Sequence, residues 1–261
     1  MLQKKIVAAV GSTLLFGALV TVAAASHSWG GYHWARTANP FTLTVGDNVT
    51  ATWDASLRTA ATDWATSSVL DLNVVAGKAN PKTCKAVRGR VEVCNSKYGK
   101  NGWLGIASIS VSGGHILQGT VKLNDTYFNT AKYNTPAWRS LVVCQEIGHT
   151  FGLDHQDELF TNPNLGTCMD YTNDPSTNQH PNFHDLEELE VIYEHLDTVN
   201  TALSSVFSAA GRAMSVGQDI DHNNPSAWGK AVKQDAQGRN SVYERDLLDG
   251  STIVTFVVWA D

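Results

Sequence analysis

Apolar positions divide the chain into one long apolar run at its start, then strands and amphipathic helices. Phe41 to Thr52 alternates apolar and polar residues, the period of a half-buried strand. Leu57, Ala60, Ala61 and Trp64 recur at i, i+3, i+4 and i+7, which predicts a helix with one buried face, capped by Asp54. Leu70 to Ala76 predicts a buried strand, and Pro81, Gly89, Asn95 and Gly99 punctuate the loop that follows. Leu104 to Val111 and His115 to Leu123 flank Ser112-Gly113-Gly114 and predict a hairpin.

Thr135-Pro136 opens a second helix, with a capping hydroxyl and proline at the first helical position. It runs through Trp138, Leu141, Val142 and Gln145 to His149, and Gly152 is its natural stop. Asp185-Leu186-Glu187-Glu188 has the form of a capping box, and Leu186, Leu189, Ile192, Tyr193 and Leu196 give the helix behind it a buried face. Val199 to Met214 is readable as a helix or a linker. Val242 to Leu247 and Thr252 to Trp259, separated by Asp249-Gly250, predict a terminal β-hairpin.

The opening run settles the compartment. Lys4 and Lys5 precede an apolar stretch from Ile6 to Val22, and Ala23-Ala24-Ala25 offers a cleavage site. Residues 1–25 therefore read as a secretory signal peptide rather than a retained membrane anchor, and the mature chain is expected to be secreted, extracellular and free of the membrane. Its formal charge moves from −6 to −8, with 17 basic residues against 25 acidic. That sign lacks the basic patch nucleic-acid binding uses. Four cysteines in an oxidising compartment allow three pairings, of which Cys84 with Cys94 and Cys144 with Cys168 are favoured.

The chemistry concentrates in Gln145-Glu146-Ile147-Gly148-His149-Thr150-Phe151-Gly152-Leu153-Asp154-His155. Gln145 and His149 are four apart, so they share one helix face. Gly152 lets the chain leave the helix with positive φ and double back, bringing His155 to the same point. Three protein ligands with a fourth position open is the arrangement of a catalytic zinc site. Zinc lowers the pKa of a water there to about 7, and Glu146 is placed to take its proton. Met169 follows His155 by 14 residues, inside Gly166-Thr167-Cys168-Met169-Asp170-Tyr171.

With that spacing the chain resembles the metzincin zinc metalloendopeptidases, most closely their matrixin-like secreted branch, over roughly residues 40 to 198. The motif departs from the family pattern at one letter: Gln145 stands where the first histidine ligand belongs. The resemblance implies an α+β fold, with a mixed twisted sheet and active-site helix above a cleft and a Met-turn and C-terminal helix below. It implies Zn2+ held by Gln145, His149 and His155, Glu146 as general base and Met169 as the apolar floor. Tyr171 would reach the metal or oxyanion, or else brace the turn. Leu104 to Val111 would be an edge strand along which a peptide or protein substrate adds. Residues 26–198 would form the protease domain, expected to act as a monomer, and residues 199–261 a β-rich extension, either an accessory element or an adhesion module.

An amide oxygen is a weaker zinc donor than imidazole nitrogen. Gln145 would ligate weakly, hold a bridging water, or mark a proteolytically inactive binding protein on a protease fold. Asp154 and Asp157 flank His155 and would either bind Ca2+ as a structural ion or cap the loop. His180, His184 and His195 read as surface or helix-end histidines.

Overall fold

The computed structural model describes residues 26–203, 221 and 223–260; the signal peptide expected at 1–25, and residues 204–214 of the helix-or-linker stretch, lie outside them. Strands β1 (His33–Trp34), β2 (Phe41–Asn48), β3 (Leu70–Ala76), β4 (Arg90–Ser96), β5 (Trp103–Ser112), β6 (His115–Asn124), β7 (Lys230–Gln234), β8 (Asn240–Asp246) and β9 (Thr252–Trp259) form one mixed sheet. Its order is β3-β2-β4-β6-β5-β9-β8-β7, and β1 pairs with the first residues of β6, ahead of the stretch β4 reaches. β2, β3, β4 and β6 run parallel, whereas β5, β7, β8 and β9 join antiparallel. With helices packed on this sheet the fold class is α+β, as expected.

Helix α1 (Ala51–Trp64) buries Trp53, Leu57, Ala60, Ala61 and Trp64, the face its periodicity predicts. Its N-cap position is Thr50, so Asp54 sits inside the first turn, where a negative charge suits the helix N-terminus. A short helix, α2 (Asp125–Phe128), leads to α3 (Pro136–His149), capped by Thr135 with Pro136 at its start. From Leu141 onward every residue of α3 is buried. It is covered by β5 and β6 on one side and by the Met169 turn on another: a Cβ at Gly148 would lie 2.7 Å from Met169 Sδ. The last helix, α4 (Phe183–Ile192), starts three residues before the expected point. Asn182 caps it, accepting from the Asp185 amide, while Asp185 answers at the third helical position by accepting from the Asn182 amide at 2.7 Å.

Residues 90–96, expected as loop, form β4 at the centre of the sheet. Arg90 and Glu92 give the segment a solvent-facing look, but they are buried and paired with each other, Nε to Oε1 at 2.7 Å. Gly46 on β2 leaves the room they occupy. Both favoured disulfides are formed, Cys84–Cys94 and Cys144–Cys168. The second ties α3 to the Met169 turn.

The tail does not stand apart as a hairpin. β9 pairs with β5 from Trp103 to Val111, so β5 is paired on both edges and the free edge strand expected at Leu104 to Val111 does not exist in this form. Period-two alternation sends Val254, Phe256 and Val258 into the main core, and Ile253 and Val257 into a second cluster with Trp103, Trp228 and Tyr243 on the other face. Both faces of β9 are therefore dry, which seats it as firmly as a strand native to the sheet.

Candidate metal centre

The end of α3 and the turn behind it build the site. Gly152 has φ +100°, and a side chain there would run into the Tyr32 carbonyl, so the reversal that returns His155 toward His149 requires glycine on both counts. Trp29 donates its amide to the Gly152 carbonyl at 2.8 Å, and His27 and Ser28 also pair with this turn. The N-terminal segment thus braces the motif.

His149 and His155 meet with their Nε2 atoms 3.0 Å apart, both rings buried. Each Nδ1 is engaged by an atom that only accepts. His149 Nδ1 donates to the Leu153 carbonyl at 2.9 Å, and His155 Nδ1 to Glu158 Oε1 at 2.9 Å. Hydrogen bonds to Glu158 from His155 and Lys233, together with their charge, hold its carboxyl below the usual carboxylate value against the effect of burial. With both Nδ1 protonated, two bare Nε2 lone pairs face each other. Burial, reinforced by His155, pushes the His149 pKa far below the ordinary histidine value. A cation between the two rings would relieve that repulsion, and an outer oxygen on each Nδ1 is how metal-binding histidines are normally oriented.

Gln145 and Glu146 point the same way. Among the described residues, neither the amide oxygen nor the amide nitrogen of Gln145 has a hydrogen-bond partner, and neither oxygen of Glu146 has one in good geometry, although all are buried. Such groups cost several kcal/mol when left orphaned, more where charged. Burial drives the Glu146 pKa well above the ordinary carboxylate value, with the backbone of Ala107 opposing it in part. Room for this carboxyl exists because Gly105 lies opposite it on β5; a Cβ there would collide with it. The donor set of two imidazoles, an amide oxygen and a basic carboxylate fits a borderline divalent ion such as zinc.

Tyr171 lies with its ring 4.3 Å from that of His155, and its hydroxyl donates to the Val257 carbonyl of β9 at 3.4 Å. Two participants, Phe256 and Lys233, carry no sequence signal of their own kind. Phe256 of β9 stacks on His149 at 4.3 Å with the rings within 3° of parallel. Lys233 of β7 bridges Asp154 at 2.6 Å and Glu158 at 3.0 Å, and so ties the tail to the outer oxygen of His155. Glu158 itself is three residues past His155 and was findable as an outer partner from that spacing.

Asp154 and Asp157 do not converge on an ion. Lys233 takes Asp154, while Asp157 accepts from the Leu159 amide and from Asn162 Nδ2, as a loop-capping aspartate does. The calcium reading fails for that reason. His180 is exposed and pairs with Asp63, whereas His195 is not merely a helix-end residue: it joins a cluster with His33 and Asp197.

No family model matches the chain. No curated protein matches it either. Solved structures similar to it include two of myroilysin, each 12% identical, with TM-scores of 0.37 and 0.35; they cover 64% and 67% of this chain and 98% and 97% of theirs. Another is the High choriolytic enzyme 1 (HCE-1), a hatching enzyme zinc-protease from Oryzias latipes (Medaka fish), at 9% identity and TM-score 0.34, over 64% of this chain and 96% of that one.

Proposed function

We propose that the chain is a secreted zinc-dependent endopeptidase whose groove is closed by its own strand β9. The observation that carries this reading is the pair of facing Nε2 lone pairs beside the orphaned Gln145 and Glu146 side chains. Residues 26–198 act as the metzincin-like catalytic part, most akin to matrixins, and residues 199–261 as its cover; the expected working form is a monomer. Two disulfides accord with an extracellular setting, and no described helix is long and apolar enough to cross a membrane.

His149 and His155 would hold the ion through Nε2, with Gln145 Oε1 as the weaker third donor and Met169 beneath. Zinc bound there would supply Lewis acidity and lower the pKa of a water to about 7. Glu146 would serve as the general base toward that water and carry the proton to the leaving amine nitrogen. Tyr171 directs its hydroxyl at the carbonyl of the scissile bond; in the closed form the Val257 carbonyl receives it instead. β9 thus lies where an extended peptide substrate would, antiparallel to β5.

The test is zinc content and casein cleavage, on the wild type and on Phe256→Ala to loosen β9. One bound zinc at the motif and cleavage abolished by Glu146→Ala support the reading. A chain that holds no zinc after chelator-free purification, or that cleaves nothing once β9 is displaced, sinks it. The second reading, a proteolytically inactive binding protein, is favoured by Gln145 and by Phe256 filling the face of His149. It predicts no turnover in any form, with zinc retention rescued by Gln145→His.

A further inference from the structure

A second group of donors converges at the start of β6. His33 is on β1, His115 opens β6, and His195 and Asp197 follow α4. His115 Nε2 lies 3.2 Å from Asp197 Oδ1, His195 Nε2 lies 3.6 Å from the same oxygen, and His33 Nε2 lies 3.6 Å from Oδ2. The His33 ring stands 5.0 Å from that of His115 and 4.7 Å from that of His195, nearly perpendicular to both. Donors bound tetrahedrally at about 2.0–2.1 Å lie roughly 3.3 Å apart, and the donor atoms of His33, His115 and Asp197 lie within 4.8 Å of one another, close to such a shell.

The protonation pattern at His33 argues for an ion rather than a salt bridge. Its Nδ1 donates to the Gly31 carbonyl at 2.9 Å, which leaves Nε2 as a bare acceptor. That atom is buried, has no hydrogen-bond partner among the described residues, and faces the carboxylate of Asp197. An imidazole lone pair against a carboxylate oxygen is repulsive unless a cation lies between them. A proton on Nε2 would relieve the repulsion as well, and zinc counting separates the two. Arg36 competes for Asp197, but it engages only Oδ2, through its backbone amide and Nη1 at 3.1 and 3.0 Å. Oδ1 remains directed at His115 and His195, and Arg36 then serves as the outer partner that orients a ligating carboxylate.

We propose that His33, His115, His195 and Asp197 form a structural zinc site, separate from the motif on α3. His33, His115 and Asp197 offer ligand atoms within 4.8 Å of one another, and the exposed His195 ring, turned inward, completes four ligands with no open position, the mark of a structural rather than a catalytic centre. The ion clips the N-terminal strand and the segment after α4 to the sheet. His115 and His195 are partly exposed, so the ion exchanges with solvent. The inference does not depend on peptidase activity.

Zinc counting by mass spectrometry, with a chelator competition for affinity, tests it on four full-length chains. These are the wild type, His149→Ala, His195→Ala, and His115→Ala with His195→Ala. His149→Ala isolates this site from the motif, and it should retain one zinc. The double variant should hold one zinc fewer than the wild type. His195→Ala, altering a half-exposed ring that the fold does not need, should weaken the rim zinc by more than about 10-fold, the lower end of what outer-shell partners alone contribute. Added zinc should raise the melting temperature of His149→Ala and not that of the double variant. A His149→Ala chain that folds but binds no zinc overturns the proposal, as does a double variant with the wild-type zinc count. Unchanged zinc affinity in His195→Ala overturns the four-ligand site as well.

Discussion

The two histidine clusters are built on the same electrostatic problem and reach it by opposite routes. In each, a buried imidazole is locked with Nδ1 on a carbonyl oxygen, Leu153 for His149 and Gly31 for His33, so that a bare Nε2 faces another electron-rich atom. The motif cluster gathers its donors from eleven consecutive residues, one helix and one turn. The rim cluster gathers them from residues 33, 115, 195 and 197, across β1, β6 and the end of α4. The motif cluster also lies under Phe256 and beside an unpartnered carboxylate, Glu146, whereas the rim cluster has solvent beside it and a carboxylate already bound by Arg36. If the motif is a reactive centre and the rim a clip, the free Glu146 is what sets the first apart from the second.

The largest expected effect breaks or sustains that contrast directly. With β9 loosened by Phe256→Ala, Glu146→Gln should lower peptide cleavage by about 10²- to 10⁴-fold, the range of a positioned general base, with zinc content unchanged. His195→Ala in the same background should leave cleavage within a few-fold. Equal losses from both variants would erase the distinction between reactive centre and clip.

Next comes the seating of β9. Phe256 is fully buried, and truncating a buried phenylalanine costs about 3–5 kcal/mol. Part of that penalty falls on the closed form alone, so Phe256→Ala should raise cleavage at least about tenfold, which needs only about 1.4 kcal/mol of differential destabilisation. Activity unchanged by the substitution, with β9 shown to be displaced by hydrogen exchange, would remove β9 as the cover.

Gln145→His sharpens the comparison from the metal side. Replacing an amide oxygen by imidazole should tighten zinc at the motif by about 10-fold or more, read by chelator competition, and leave the rim affinity alone. Saturating the rim site at about 100 times its dissociation constant should in turn add about 2.7 kcal/mol to stability. For a chain of this size that is roughly 5–10 °C in melting temperature, absent from the His115→Ala, His195→Ala chain.

The contrast also explains what could be read from the chain in advance. A site carried by one helix and one turn leaves its spacing in the sequence, so Gln145, Glu146, His149 and His155 were visible as a group, and Gly152 declared the reversal. The same locality made α1, α3 and both disulfides legible. Long-range pairing leaves no such trace. β4 was hidden because Arg90 and Glu92 neutralise each other inside the sheet, which no alternation rule detects. That the terminal hairpin would be recruited to β5, placing Phe256 on His149, depends on an inter-strand register fixed by the folded sheet. His33, His115, His195 and Asp197 each resembled an ordinary surface or strand-end residue until β1 and the end of α4 were brought together.

The last effect concerns a buried charge in neither cluster, and it serves as the control for pH experiments on both. Lys122 of β6 is 3% exposed, and burial lowers its pKa from 10.5 to about 8, against the opposing charge of Asp221. Its ammonium rests on the Tyr98 ring, 5.2 Å from the centroid, which compensates only part of the desolvation. Below pH 8 both folded and unfolded chains carry this proton, and the folded state bears the cost of burying the charge. Between about pH 8 and 10.5 the unfolded chain binds more protons than the folded one, so this residue makes stability rise with pH, by about 3 kcal/mol over the whole window. Histidine–zinc contacts also strengthen as pH rises, but over a lower range, as the imidazoles give up their protons. Denaturant midpoints from pH 7 to 10.5 should therefore show a rising contribution in the wild type that is absent in Lys122→Met, in zinc-free and zinc-loaded protein alike. If that difference vanishes when zinc is removed, Lys122 is coupled to a metal centre, and the separation of the two clusters from the rest of the sheet does not hold.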